Sequence, residues 1–315
     1  MKITVLDAAT LGNDVSFEKW EALGELKVYN TTTADEVINH LMGSDVAILN
    51  KVKITEDVVN SVDNLKLICV AATGYDNIDI NACKKKGIAV CNVKGYSTHS
   101  VAQVTITLAL ALMTHLNEYN NCVKKGDYTK SGLQNRLTPV FHELYGKTFG
   151  IVGLGNIGKQ VARVAEAFGC RVLCFKRTPH PDFNRVDLET LLRESDIVSL
   201  HLPLGDETKN IIGEKELKLM KSSAILVNAA RGAVTDETAV ANAIEKGIIG
   251  GFATDVYSVE PLQKNSPLQR IKDFDNVILT PHMAWGAYEA RVRCIEEIAK
   301  NITAFFSGQS RNRVI

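Results

Sequence analysis

The stretch Thr148-Phe-Gly-Ile-Val-Gly-Leu-Gly-Asn-Ile-Gly-Lys159 constrains this chain more than any other. It carries Gly153, Gly155 and Gly158 in Gly-x-Gly-x-x-Gly spacing, directly after the apolar run 149–152. A helical pattern follows, with Ile157, Val161, Val164, Ala165 and Phe168 on one face. Strand, glycine turn and helix in that order are the context that gives the spacing meaning. The first glycine makes the turn, the second lets backbone approach a pyrophosphate, and the third lets helix pack on strand. The helix N-terminus then offers unpaired N–H groups and partial positive charge to the phosphates. The plainer alternative is an ordinary tight strand-to-helix turn.

A chain of 315 residues is long for one core, which favours two domains. Hydrophobic residues at 45% and charged residues at 23% describe a folded globular protein rather than a disordered one. Thirty-six basic against 36 acidic residues leave no global field for nucleic acid or an anionic membrane, so any basic site is local. The N-terminal apolar segment is too short for a signal peptide. The longest uncharged stretch, 97–114, contains His99, Gln103 and several hydroxyls, and reads as a buried helix rather than a membrane span. Seven scattered cysteines with no Cys-x-x-Cys pair indicate reduced thiols in a cytoplasmic protein, without metal-ligand spacing.

Residues 1–96 alternate candidate strands (3–6, 26–29, 46–49, 65–71, 88–92) with candidate helices (17–23, 34–42, 56–62, 80–86). Such alternation with short connections predicts a parallel sheet covered on both faces. The segment Val70-Ala-Ala-Thr-Gly-Tyr-Asp-Asn-Ile-Asp79 follows a buried strand, at the carboxyl edge where ligands bind in open α/β sheets, and Gly74 there would let backbone N–H groups approach an anion. A plain turn is the competing reading. Residues 97–126 read as one long helix, apolar in its first half and polar in its second; burial on all sides calls for neighbours, for which a second subunit is one candidate. Residues 126–144 have no clear period and read as an extended arm. Six further strands (148–152, 171–176, 197–202, 224–228, 251–255, 277–280) alternate with helices near 157–168, 188–193, 214–220 and 237–246, matching a doubly wound dinucleotide fold. A last helix, 287–306, would return to the first unit and leave a cleft between the domains.

The second strand of such a nucleotide unit ordinarily ends in an acid that bonds the adenine ribose hydroxyls. Here Lys176 stands in that place, followed by Arg177 and Thr178. These residues could hold a 2′-phosphate, which favours NADP(H). Alternatively both cations are solvated and the cofactor is NAD(H) with one contact fewer. Three later segments project towards the same sheet edge. Val227-Asn-Ala-Ala-Arg-Gly232 supplies Arg231, Thr254-Asp-Val-Tyr-Ser-Val-Glu-Pro261 supplies Asp255 and Glu260, and Leu279-Thr-Pro-His-Met-Ala-Trp285 supplies His282. Singly, each residue is more often structural; together beside a nicotinamide site they are a far less ordinary coincidence.

The chain resembles the D-isomer-specific 2-hydroxyacid dehydrogenase family nearly end to end. The resemblance is carried by Ala72-Thr-Gly-Tyr-Asp-Asn-Ile-Asp79, Gly153-Leu-Gly-Asn-Ile-Gly158, Asn228-Ala-Ala-Arg-Gly232, Asp255 with Glu260-Pro261, and Thr280-Pro-His282. Gly95-Tyr-Ser-Thr-His-Ser-Val-Ala-Gln103 and His282-Met-Ala-Trp285 resemble its glycerate dehydrogenase/hydroxypyruvate reductase branch. The fold expected is α/β, with two doubly wound parallel-sheet domains. One is a flavodoxin-like substrate domain, 1–96 plus 287–315; the other is a Rossmann-like nucleotide domain, 97–286, with a dimerisation helix and arm. The resemblance implies catalytic roles for Arg231, Glu260 and His282, and substrate-carboxylate contacts near Thr73 and Gly74. It implies cofactor contacts from Thr105, Asn156, Ile157, Leu202, Pro203, Thr208, Ala229 and Asp255, and a homodimer. Lys176 departs from the acid of NAD-preferring members.

The expected chemistry is hydride transfer to C2 of a small 2-oxo acid such as hydroxypyruvate or glyoxylate. Arg231 would hold and polarise the substrate, and His282 would supply the proton. A carboxylate at Glu260 would favour the imidazolium. Two rivals share the motifs. A nicotinamide-sensing corepressor would be expected to add tails or peptide-docking surfaces, whereas this chain stops nine residues after Phe306. A phosphoglycerate dehydrogenase in its long form would add a C-terminal regulatory domain.

Overall fold

The computed structural model describes residues 1–176 and 183–315. The chain divides into two compact units, 1–97 with 286–315 and 98–285. In the first, β1 (Lys2–Val5), β2 (Glu25–Val28), β3 (Val46–Leu49), β4 (Leu67–Val70) and β5 (Ala89–Cys91) form a parallel sheet ordered β2-β1-β3-β4-β5. This is the flavodoxin-like order. β3, β4 and β5 are buried along their whole length, which explains their unbroken apolar runs. The helices α1 (Glu18–Glu21), α2 (Val37–Leu41), α3 (Glu56–Ser61) and α4 (Ile80–Lys86) connect them. Thr55 and Asp79 cap α3 and α4 through their side-chain oxygens, and left-handed Gly87 ends α4.

The second unit begins with α5 (Thr98–Met113), α6 (Leu116–Lys124) and α7 (Asp127–Ser131). The single helix expected over 97–126 is therefore two, meeting at a 64° bend. His115 breaks it by adopting a left-handed conformation, φ 50°, and the Thr114 hydroxyl bonds back to the Leu110 carbonyl. The physical reason is a change of environment. α5 is apolar because it packs between α8 and the sheet, whereas α6 carries mostly polar residues and follows the surface. The expected arm also starts differently, because its first residues form α7; regular structure is absent from there until β6.

The seven-stranded sheet contains β6 (Thr148–Val152), β7 (Arg171–Phe175), β8 (Asn184–Arg185), β9 (Ile197–Leu200), β10 (Ile225–Asn228), β11 (Gly251–Thr254) and β12 (Val277–Leu279). All pairings are parallel, in the order β12-β11-β10-β9-β6-β7-β8. From β8 inward this is the 3-2-1-4-5-6 order of a dinucleotide fold, extended by one strand. Six strands were expected; the two-residue β8 is too short to give a periodic signal. The interleaved helices are α8 (Asn156–Ala167), α9 (Leu188–Glu194), α10 (Glu214–Leu217) and α11 (Glu237–Glu245). One apolar cluster includes Leu191, Leu226 and Phe252; another joins α5 and α8 to the sheet through Ala109, Phe149, Ile151, Val161 and Val227.

The last helix, α12 (Tyr288–Phe306), belongs to the first unit, where it packs on α1 and β4. Trp20, fully buried, donates its indole N–H to the Ile295 carbonyl at 3.0 Å. No single helix among the described residues is long and apolar enough to cross a membrane.

Candidate active site

The three motif glycines meet three different surroundings. Gly153 ends β6 with φ +101°, a conformation that disfavours side chains, and a Cβ there would lie 2.7 Å from the His201 carbonyl oxygen. A Cβ on Gly158 would lie 2.1 Å from the Gly153 carbonyl oxygen, so any larger residue would pry α8 off the turn. Gly155, the N-cap of α8, differs: a Cβ there would meet nothing within 4 Å. Its bareness therefore answers no intramolecular need, and it fits close approach by a phosphate to the amino end of α8. Asn156 and Ile157, the first residues of α8, share that end. The turn lies at the carboxyl edge between β6 and β9, the point where the strand order reverses.

Past β9 on the same edge come His201, Leu202 and Pro203. His201, which no sequence motif marks, is a second histidine on this edge. Its Nε2 lies 2.9 Å from the Ser199 hydroxyl, and loss of hydration pushes its pKa down to about 3. It is therefore a neutral imidazole at working pH. Thr208 donates its hydroxyl to the Pro203 carbonyl at 2.6 Å and accepts from the Gly205 N–H at 2.9 Å, closing the loop after β9. Thr105 is fully buried on α5, its hydroxyl bonded to the Val101 carbonyl.

β10, β11 and β12 are neighbours, and their carboxyl ends carry the remaining groups. Ala229 directly follows β10. The Asn228 side chain folds the next residues into a loop, accepting from the Ala230 N–H at 3.1 Å and donating to the Arg231 carbonyl at 2.9 Å. Gly232 is indispensable to its placement, because a Cβ there would lie 1.9 Å from the Tyr257 carbonyl carbon. The Arg231 loop thus packs directly on the backbone after β11. There the Tyr257 N–H donates to Glu260 Oε1 at 3.2 Å, and the Tyr257 hydroxyl donates to the Thr280 carbonyl at 2.9 Å. Glu260 Oε2 in turn lies 2.6 Å from His282 Nδ1. Arg231, Glu260 and His282 are therefore joined by a continuous run of contacts within one unit, with both members of the Glu260–His282 pair partly open to solvent.

His282 sits in a left-handed conformation, φ 53°, unusual for a residue with a side chain. Its N–H donates to the Thr280 carbonyl across Pro281 at 3.0 Å, a one-residue turn suited to proline's fixed φ. Asp255 holds this turn. Its carboxylate, 1% exposed, accepts from the Thr280 hydroxyl (2.7 Å) and from the Met283 and Ala284 N–H groups (both 2.8 Å). The residue expected on the cofactor side has its bonds directed to the loop that bears the histidine.

Lys176 follows β7, and its carbonyl accepts from Arg185 Nε at 2.8 Å. Arg185, on β8, is a further cation at this strand end that had no motif to announce it. Arg177 and Thr178 lie outside the described residues. Thr73 and Gly74 lie in the first unit, past β4, where the Thr73 hydroxyl donates to the Val93 carbonyl at 2.8 Å.

Strand order and glycine turn together make the second unit a dinucleotide-binding α/β unit. Residues 106–284 match the family described as D-isomer specific 2-hydroxyacid dehydrogenase, NAD binding domain. Glycerate dehydrogenase of Methylorubrum extorquens is 39% identical over 314 residues, covering 99% of this chain and 98% of the relative. Glyoxylate reductase of Thermococcus litoralis is 41% identical over 264 residues, 82% of this chain and 78% of the relative. Among solved structures, an acyclic imino acid reductase in complex with NADPH and D-Arg superposes with a TM-score of 0.89 at 31% identity, covering 100% of both chains. The chain belongs to the D-isomer specific 2-hydroxyacid dehydrogenase family, oxidoreductases that act on CH–OH donors with a nicotinamide cofactor.

Proposed function

We propose that this protein reduces a small 2-oxo acid, hydroxypyruvate (to D-glycerate) or glyoxylate (to glycolate), in the manner of a glycerate dehydrogenase. The observation that carries the reading is the 2.6 Å His282–Glu260 contact, continuous through Tyr257 and Gly232 with Arg231. The relatives named for glycerate and glyoxylate support the substrate class. Arg231 holds the carboxylate and polarises the carbonyl with its planar fork of donors. A nicotinamide held at the glycine turn would supply the hydride chemistry at C2, in either direction. His282 donates a proton from Nε2 to the substrate oxygen, while Glu260 on Nδ1 orients the ring. Thr73 and Gly74 offer backbone donors to the substrate carboxylate.

The cofactor would be held by Gly153, Gly155, Asn156, Ile157 and Gly158, with further contacts from Thr105, Leu202, Pro203, Thr208, Ala229 and Asp255. Residues 97–286 are its domain, and 1–96 with 287–315 are the substrate domain. Lys176, with Arg177 and Thr178, favours NADP(H) over NAD(H), because a cation cannot accept from a ribose hydroxyl but does bind a phosphate. The protein works as a cytoplasmic homodimer. Exposed Leu116, Val123, Leu133, Leu137, Val140 and Phe141 along α6 and the arm supply an apolar face for a second copy, and seven free buried thiols suit a reducing compartment. The deciding experiment assays a panel of small 2-oxo acids with NADPH and with NADH. Turnover is expected, with glyoxylate or hydroxypyruvate leading and NADPH preferred. Dinucleotide binding with negligible turnover would instead make the protein a sensor.

A further inference from the structure

We propose that three asparagines, Asn92, Asn301 and Asn312, form an amide ladder that positions the Gly74 N–H for the substrate carboxylate; this rests on the reading of Thr73 and Gly74 as the carboxylate cradle. All lie in the first unit. Asn92 follows β5, is 2% exposed, and donates from Nδ2 to the Thr73 carbonyl at 2.7 Å. The Thr73 carbonyl and the Gly74 N–H belong to one planar trans peptide and point in opposite directions. Drawing that carbonyl onto a buried amide therefore turns the Gly74 N–H outward. Gly74 N–H has no intramolecular acceptor among the described residues.

Asn92 is itself held from behind. Asn301 on α12, 1% exposed, donates from Nδ2 to the Asn92 carbonyl at 3.0 Å and accepts from Asn312 Nδ2 at 3.0 Å. The Asn312 carbonyl accepts from the Asn92 N–H at 3.2 Å. The segment around Asn312 runs antiparallel along the outer edge of β5, with a bridge between Cys91 and Arg313 and a Val314 N–H to Val90 carbonyl bond at 2.8 Å. Both main-chain groups of Asn92 and its amide nitrogen are thus fixed.

One atom shows which requirement dominates. Asn92 Oδ1 is buried and has no hydrogen-bond partner. A buried acceptor left unpaired is costly and calls for an explanation. Turning the amide over would set Oδ1 against the Thr73 carbonyl oxygen and release the peptide. The orphaned oxygen is the consequence of keeping the donor on Thr73.

The test measures KM for the 2-oxo acid, KM for the reduced cofactor, kcat and melting temperature in Asn92→Ala, Asn312→Gly and Gly74→Val. Asn312→Gly is the gentle variant, because glycine keeps the left-handed backbone (φ 48°) and only the amide is lost. Asn92→Ala is expected to raise the oxo-acid KM on the order of tenfold, and Asn312→Gly about threefold, as loss of an oriented hydrogen bond would. Cofactor KM should stay within about twofold in both. A lowered melting temperature with an unchanged oxo-acid KM would make the ladder merely structural and overturn the proposal, and Asn312→Gly decides this if Asn92→Ala does not fold. If Gly74→Val raises the oxo-acid KM and the asparagine variants do not, the ladder fails while the cradle stands. If Gly74→Val leaves it unchanged, the cradle reading fails and the ladder with it.

Discussion

Glu260 Oε2 and His282 Nδ1 lie 2.6 Å apart, although 22 residues separate them in the chain. The contact commits one ring nitrogen to the carboxylate and leaves Nε2 outside it, as the proposed proton donation requires. Replacing His282 by Gln is expected to lower kcat by about 10²–10⁴-fold, the usual contribution of a positioned proton donor. Glu260→Gln should also lower kcat, by less, while leaving cofactor affinity unchanged. Steady-state kinetics with glyoxylate check both, and undiminished turnover in His282→Gln would remove it from the mechanism.

Arg231 is held by a loop that Gly232 permits to pack against Tyr257. Arg231→Lys keeps the charge but not the planar fork, so kcat/KM for the 2-oxo acid should fall by about 10²-fold. Cofactor binding, followed by fluorescence titration, should not change. Parallel losses in both would mean that Arg231 supports the fold of the loop rather than the substrate.

Lys176 provides the test of cofactor choice. Lys176→Asp should lower kcat/KM for NADPH by about 10–100-fold, the value of a charge-assisted hydrogen bond, and raise the relative rate with NADH. An unaltered NADPH-to-NADH ratio would show that the residue is a solvated surface cation.

Asp255 accepts three hydrogen bonds from the His282 loop in a buried position. Asp255→Ala leaves those donors unpaired and should destabilise the protein by about 3 kcal/mol, with kcat falling because His282 loses its anchor. Chemical denaturation and kinetics on the same preparation measure the two effects.

Tyr257 sets an alkaline limit. Burial first, then the charges of Asp255 and Glu260, push its phenol up to about 12 from an ordinary 10. Because the folded state keeps this proton longer than the unfolded chain, the associated stability is complete below pH 10 and is lost as pH rises towards 12. Tyr257→Phe should flatten the decline of melting temperature across that window, and an unchanged slope would remove Tyr257 as its cause.

What the sequence by itself determined was periodic or stereotyped. Buried parallel strands announce themselves as apolar runs, α8 by its one-sided pattern, and the glycine turn by three positions whose steric needs are local. Arg231, Glu260 and His282 were legible because each follows a strand, and parallel strands bring their carboxyl ends to one edge. Interactions between distant segments were left to the tertiary structure. The break at His115 follows from where α6 must run once α5 is buried, and β8 exists only because β7 offers it an edge. Asp255 could be seen as an acid past a strand, but its three bonds to the His282 loop depend on β11 and β12 lying side by side. His201 is kept neutral by desolvation, which no spacing encodes. Asn92, Asn301 and Asn312 stand far apart as ordinary residues of a β-edge, a helix and a tail, and only packing made them neighbours.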